Sequence, residues 1–153
     1  MSSVAKLIFF LSLLSINIST QAKDIFILVV GESISANCNQ HIFQQVPGVY
    51  QLNKNGIQTP AKDPFDWSDC SQGSMWIPLG EKIIQNGLAD NVTFMPIGVK
   101  GTSVSDWKEG GAAFAKLSSA ISMTKEKSIN VDYLFWHQGS SDVNISPITY
   151  RKN

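Results

Sequence analysis

Three short, strongly apolar runs constrain what this chain can fold into. Residues 24–30, 92–97 and 131–136 are dense in β-branched and aromatic side chains, and each run leads into a polar loop that contains glycine. Continuous apolar runs of this length are typical of parallel strands that are buried on both faces. We therefore expect three strands of a mainly parallel sheet, each buried on both faces.

Helical periodicity occurs between these runs. Apolar residues from Trp76 to Ile84 recur on one helical face, with Gly87 as a stop signal, and a second helix is expected over residues 112–127. Strands that alternate with helices predict a three-layer α/β domain with a mainly parallel sheet. The polar segment 47–64, which contains Pro, Gly and Asn, is predicted to form a long loop.

The segments that follow the three apolar runs are expected to meet. We call them the first loop (residues 31–37), the second loop (residues 98–103) and the third loop (residues 137–142). In open α/β sheets the binding crevice lies beyond the carboxyl ends of the strands, where such loops converge. All three loops are polar and carry glycine, so a binding site is predicted there.

The amino end has the layout of a secretory signal peptide. Lys6 precedes an apolar stretch over residues 7–18, and small and polar residues follow as far as Ala22. A membrane anchor is the alternative, but about a dozen apolar residues are few against the roughly 20 that span a bilayer. We expect a signal peptide over residues 1–22, a secreted or periplasmic product, and one domain over residues 23–153.

Charge argues against a nucleic-acid partner. Twelve basic and twelve acidic side chains balance, and removal of residues 1–22 takes away only Lys6, which leaves a formal charge of about minus one. No basic run is present, so the sequence favours a neutral or weakly charged small substrate. The mature chain has no second long apolar run, so no membrane partner is expected after signal cleavage.

The two cysteines, Cys38 and Cys70, lie on either side of segment 47–64. In an oxidising compartment such a pair often forms a disulfide, and we predict a Cys38–Cys70 bridge. Two buried free thiols are the alternative. A metal site is disfavoured, because His41 and His137 do not form a ligand-spaced cluster with the cysteines.

The third loop carries the most specific pattern in the chain. Together with the preceding Trp136 it reads Trp-His-Gln-Gly-Ser-Ser-Asp. The three loops, in this order and spacing, resemble blocks I, II and III of the SGNH hydrolases. The third loop resembles the Trp-His-Gln-Gly-Glu-Ser-Asp block of sialate O-acetylesterase-like carbohydrate esterases, with Ser140 in place of glutamate. The first loop contains Gly-Glu-Ser, in which Glu32 replaces the aspartate of the usual Gly-Asp-Ser.

The resemblance implies roles for individual residues. Ser33 would be the nucleophile, Gly101 and Gln138 would line the oxyanion hole, and Ser141 stands where the wider superfamily has an asparagine donor. His137 would have a structural or substrate-lining role and would not be the catalytic base. From the residues alone, Ser33 could equally be a turn or capping serine, Gly101 a turn glycine and Gln138 a loop-capping residue. No metal or organic cofactor is implied.

The implied activity is serine-dependent hydrolysis of acetyl esters on carbohydrates or other small esters. The family's base comes from a late Asp-x-x-His segment, which these 153 residues do not contain, so we expect a truncated product or gene fragment. The alternatives are a catalytically silent carbohydrate-binding remnant, in which Trp67, Trp76 or Trp107 stacks on a sugar, and a non-functional fragment that an open sheet edge keeps from folding stably.

Overall fold

A computed structural model describes residues 22–153. The predicted signal peptide lies outside these residues, apart from Ala22. Five strands form one sheet in the order β3-β2-β4-β1-β5, with β3 antiparallel to β2 and every other neighbouring pair parallel. The strands are β1 (Asp24–Gly31), β2 (Val49–Leu52), β3 (Gln58–Pro60), β4 (Asn91–Pro96) and β5 (Tyr133–His137).

Helices cover the two faces of the sheet. The α-helices are α1 (Trp76–Gln85), α2 (Phe114–Glu126) and α3 (Pro147–Lys152), and short 3₁₀ turns occupy Ser33–Ala36, Val104–Trp107 and Ser140–Asp142. Ser146 caps the helix α3, because its hydroxyl accepts a hydrogen bond from the Thr149 backbone N–H at 3.1 Å. Proline occupies the first helical position.

The interior strand β1 contributes side chains to both halves of the core, one on each face of the sheet. Phe26 and Leu28 pack in the cluster that includes Ala120 of α2, whereas Ile27 and Val29 pack in the cluster that includes residues of α1. Successive side chains of a strand point to opposite faces, so one apolar run supplies both halves. The predicted three-layer α/β architecture with a mainly parallel sheet is confirmed.

The prediction of a long loop over residues 47–64 was wrong. This segment contains β2, a turn and β3, which pair as an antiparallel hairpin at the edge of the sheet. The Asn53 side chain accepts hydrogen bonds from the backbone N–H groups of Asn55 and Ile57, both at 3.0 Å, and Gly56 has a positive φ of 71°. Each strand is too short for its alternation to stand out among polar residues, although an Asn-Gly pair is a hairpin signal.

The three tryptophans considered for sugar stacking are core residues. Trp67, Trp76 and Trp107 are all buried, and each belongs to one of the two core clusters. Because a ring must be accessible to stack on a saccharide, this interpretation of the three residues was wrong.

Within residues 22–153, no helix combines the length and the apolar character that crossing a bilayer requires.

Candidate active site

The first and third loops form a crevice at the carboxyl ends of β1 and β5. Its volume is about 310 Å³. The lining residues are Glu32, Ser33, Ile34, His137, Gln138, Gly139 and Ser140. The two strands pair in parallel with Gly31 opposite His137, and this register places the loops that follow them side by side.

Ser33 follows the strand β1 after one connecting residue, Glu32. It begins a 3₁₀ turn, is half-buried, and has a φ of 45°, in the left-handed region. Neither its hydroxyl nor its backbone N–H makes a hydrogen bond to another described residue. The Ser33 hydroxyl therefore lies at the edge of the crevice without a hydrogen-bond partner among the described residues.

Glu32 anchors the third loop to the first. Its side chain is only 2 % exposed. One carboxylate oxygen accepts hydrogen bonds from the backbone N–H groups of Gly139 and Ser141, each at 3.0 Å, and the other accepts a hydrogen bond from the Ser141 hydroxyl. The Ser141 hydroxyl, considered as an oxyanion donor, is thus directed to Glu32.

The environment of Glu32 favours its charged form. Burial by itself raises the pKa of this carboxyl, but the hydrogen bonds from the Ser141 side chain and from the Ser141 and Gly139 backbone outweigh burial and hold the pKa below its ordinary value of 4.5. A buried carboxylate that several donors satisfy acts as a fixed negative charge beneath the crevice.

The Gln138 side chain joins all three loops. Its amide nitrogen donates to the Thr102 carbonyl oxygen at 3.0 Å and to the Asp142 carboxylate, and lies 3.4 Å from a Glu32 carboxylate oxygen. Its amide oxygen accepts a hydrogen bond from the Tyr150 hydroxyl at 2.6 Å. An amide has two N–H donors, so both have protein partners here.

Asp142 ties the third loop to the turn that follows the second. Its carboxylate is buried and accepts a hydrogen bond from the Val104 backbone N–H at 2.8 Å, at the start of the 3₁₀ turn Val104–Trp107. Backbone N–H groups at the start of a helical turn lack intrahelical partners, so a carboxylate is favourable there. Asp142 therefore fixes the relative position of the second and third loops.

The glycines of the second loop have different surroundings. Gly98 lies against the first loop, where an added Cβ would come within 2.7 Å of the Ser35 backbone, so only glycine fits without a shift. Gly101 has a φ of 70°, faces open space, and its backbone N–H makes no hydrogen bond to another described residue. Gly101 is not among the residues that line the crevice.

His137 reaches from the end of β5 to the first loop. Its Nδ1 atom lies 2.7 Å from the Ser35 hydroxyl oxygen, and its ring lines the crevice. The other histidine, His41, packs edge-on against Phe43 with ring centroids 4.5 Å apart and does not line the crevice. His137 is thus the imidazole at the crevice among the described residues.

A disulfide joins Cys38 and Cys70, whose Cα atoms are 5.1 Å apart. The neighbouring Asp69 carboxylate accepts hydrogen bonds from the Lys100 backbone N–H at 3.2 Å and from Lys116 Nζ at 2.7 Å. Burial lowers the pKa of Lys116 although Asp69 opposes the shift. The segment around Cys70 therefore supports the second loop from outside the crevice.

Sequence reasoning singled out Ser33, Gly101, Gln138 and Ser141 as candidates but did not predict the contacts around them. Glu32 was noted only as a departure from the usual aspartate, and Asp142 only as a match. An acid in a polar loop is usually solvated, so only the folded arrangement reveals that both carboxylates are buried acceptors. Among residues 22–153, no group of three or more His, Cys, Asp or Glu is arranged to hold a metal ion.

The fold and the crevice define an α/β domain with a serine at the carboxyl end of the interior strand β1, a usual location for ligand sites in this class. The chain belongs to the family described as carbohydrate esterase, sialic acid-specific acetylesterase, whose model matches residues 24–153.

One solved structure is similar to this chain in fold. It is an X-ray structure of a protein from Arabidopsis thaliana, with a TM-score of 0.61 and 15 % sequence identity over 80 % of this chain. The match covers 60 % of the Arabidopsis chain, so this chain spans less than two thirds of that protein. No curated protein matches the chain.

Proposed function

We propose that this chain is a serine-dependent esterase that removes acetyl groups from carbohydrates. The position of Ser33 carries the proposal: its hydroxyl has no partner among the described residues and lies just after the carboxyl end of the interior strand β1, at the crevice beside the third loop. Membership of the carbohydrate esterase family supports acetylated sugars as the substrate class.

The reaction would take two steps. The Ser33 Oγ attacks the acetyl carbon, a bond forms between them, the bond from that carbon to the sugar oxygen breaks, and the sugar leaves as an alcohol with one proton. Water then attacks the acetyl-serine, releases acetate and regenerates the hydroxyl. The described residues contain no Asp-x-x-His segment, so the proton of Ser33 is accepted by a base from outside them.

Backbone groups supply oxyanion donors in this proposal. The Ser33 N–H makes no hydrogen bond to a described residue and lies at the crevice, and backbone donors of this kind stabilise the negative oxygen of a tetrahedral intermediate. The Gly101 N–H also has no partner among the described residues, but Gly101 does not line the crevice and would have to approach the bound ester in order to donate. Gln138 would have to exchange Thr102 or Asp142 for the oxyanion in order to serve as a side-chain donor. Ser141 would likewise have to release Glu32.

Acetate release from a panel of O-acetylated monosaccharides tests the proposal. Ser33→Ala should remove the acetate release that imidazole stimulates, because effects within a catalytic triad are not additive and a chain without the family's base has already lost most of the rate that its nucleophile supports. Ser118→Ala is the matched control, since Ser118 is an exposed serine of α2. Imidazole in the buffer should raise the rate for the wild-type chain and not for Ser33→Ala, because it supplies an external base.

Equal rates for wild type and Ser33→Ala would contradict the proposal, as would a wild-type chain that releases no acetate with or without imidazole. Saccharide binding by a chain that shows no turnover would favour the carbohydrate-binding alternative.

A further inference from the structure

The contact between Ser35 and His137 has no part in the proposed reaction. Ser35 is fully buried, whereas the His137 ring is exposed at the crevice. Gly31 leaves the space for this pair, since a Cβ there would come within 2.2 Å of the His137 carbonyl oxygen and 3.1 Å of the Ser35 hydroxyl oxygen. The first loop therefore holds a buried hydroxyl directly against one nitrogen of an exposed imidazole.

The burial of Ser35 determines the direction of this hydrogen bond. Among the described residues, the only hydrogen-bond partner of the Ser35 Oγ atom is His137 Nδ1, at 2.7 Å. A buried hydroxyl that does not donate leaves a polar hydrogen without a partner, which is unfavourable. The Ser35 hydroxyl therefore donates, and Nδ1 accepts with its lone pair.

An accepting Nδ1 places the proton of a neutral imidazole on Nε2. The His137 Nε2 atom makes no hydrogen bond to another described residue, and its ring lines the same crevice as Ser33. The Gln138 amide, in contrast, already has a protein acceptor for each N–H group. His137 thus offers the crevice a side-chain donor that needs no rearrangement.

We propose that His137 donates its Nε2–H to the carbonyl oxygen of the bound ester, and that Ser35 is the positioning residue that fixes this tautomer. The inference rests on the proposed esterase function and deepens it. It also excludes His137 as the base for Ser33, because a base needs a lone pair on Nε2 and the donor role needs a proton there.

The tautomer can be measured directly. Nitrogen chemical shifts of the full chain, labelled with ¹⁵N-histidine and studied where the imidazole rings are neutral, report which ring nitrogen carries the proton. The chain has two histidines, so His41→Gln assigns the signals of His137. We expect a single Nε2–H tautomer in the wild-type chain and a mixture in Ser35→Ala. An Nδ1–H tautomer in the wild-type chain would overturn the proposal.

Sodium acetate tests the donor role, because its carboxylate oxygen can occupy the place of the acyl oxygen. We expect acetate to shift the Nε2 resonance of His137, and His137→Phe to weaken acetate binding by about tenfold, as expected for one lost hydrogen bond. His41→Phe, the same change outside the crevice, should leave binding unchanged. A His137 resonance that acetate does not move would overturn the donor role.

These outcomes separate the inference from the proposed function. Ser33-dependent acetate release together with an Nδ1–H tautomer would support the proposed esterase function and refute the donor role of His137. If acetate shifts the Nε2 resonance of His137 but acetate release does not depend on Ser33, the donor role of His137 would be supported and the proposed esterase function refuted.

Discussion

Strands β1 and β5 are neighbours that pair residue by residue, from Ile27 opposite Tyr133 to Gly31 opposite His137. Both are strongly apolar, and both lead into the crevice. Their surroundings differ sharply, since Val29 of β1 is fully buried whereas Leu134 of β5 is 62 % exposed. The difference arises from position: β1 lies between β4 and β5, and β5 lies at the edge of the sheet.

The strands β1 and β5 are thus similar in composition, but we expect them to contribute differently to the stability of the fold. On one face of β5, Leu134 and Trp136 line an open groove beside α2, and on the other, Tyr133 and Phe135 line a groove beside α1. Apolar side chains contribute to stability in proportion to the area they remove from water. We expect β1 to carry most of the stability, and β5 to matter chiefly through the loop it positions.

The largest expected effect compares Ile27→Ala with Leu134→Ala. Ile27 is 1 % exposed, so its truncation leaves a cavity and should lower the free energy of unfolding by about 2–5 kcal/mol. Truncation of the exposed Leu134 should lower the free energy of unfolding by less than about 1 kcal/mol. Urea denaturation followed by tryptophan fluorescence measures both values. Equal losses would show that β5 is as buried in solution as β1.

The next effect concerns the residue that joins the ends of the two strands. Glu32→Ala removes the acceptor of the Gly139 and Ser141 backbone N–H groups and should lower the free energy of unfolding by about 2–4 kcal/mol. Hydrogen exchange at these two amides should accelerate more than exchange within β1. Unchanged protection of both amides would contradict the anchoring role of Glu32.

Acid should reduce the same contribution. The pKa of Glu32 in the folded chain lies below its ordinary value of 4.5, so its stabilising effect is fully present above about pH 4.5 and is lost as pH falls through the folded pKa. The difference in unfolding free energy between wild type and Glu32→Gln should therefore shrink as the pH falls below about 4.5. A difference that stays constant down to strongly acidic pH would contradict the assignment.

A smaller effect is expected where α3 contacts β5. The Tyr150 hydroxyl donates to the Gln138 amide oxygen at 2.6 Å and accepts from Trp136 Nε1 at 2.8 Å. Tyr150→Phe removes both hydrogen bonds and should lower the free energy of unfolding by about 1 kcal/mol. Tyr133→Phe is the matched control, because the Tyr133 hydroxyl makes no hydrogen bond to a described residue. Equal effects would show that the Tyr150 hydroxyl is dispensable.

The smallest effect on stability is expected for Leu134→Lys. The new side chain can extend into solvent, so the free energy of unfolding should change by no more than about 0.5 kcal/mol. The charge should also reduce self-association, because an exposed apolar edge strand is a surface for pairing with other chains. Sedimentation velocity of the wild-type chain and of Leu134→Lys measures the change in self-association. A large loss of stability in Leu134→Lys would show that the Leu134 side chain is packed against the rest of the protein.

The sequence predicted the parts of the fold that one continuous local pattern defines, either an apolar run or a helical periodicity. The expected strand over residues 24–30 is confirmed as Asp24–Gly31, and the expected helix over residues 112–127 as Phe114–Glu126. The hairpin of β2 and β3 was missed because its strands have four and three residues. Their stability depends on pairing with β4 and with each other, which no local pattern contains.

The site could be predicted only in part for a similar reason. Spacing after the strands singles out Ser33 and Gln138, because a residue that follows a parallel strand lies at the crevice whatever its partners are. The buried acceptor role of Glu32 and the Ser35 contact of His137 each join residues more than a hundred positions apart. Such contacts depend on the register between β1 and β5.

The backbone of Ser33 has a consequence for anyone who redesigns this chain. Its φ of 45° is a conformation that glycine adopts readily and that costs other residues roughly 1–2 kcal/mol. Ser33→Gly should therefore relax the turn and raise the melting temperature. A screen that rewards thermal stability alone would select glycine there and discard the proposed nucleophile, so stability and the proposed activity would be optimised in opposite directions at this single position.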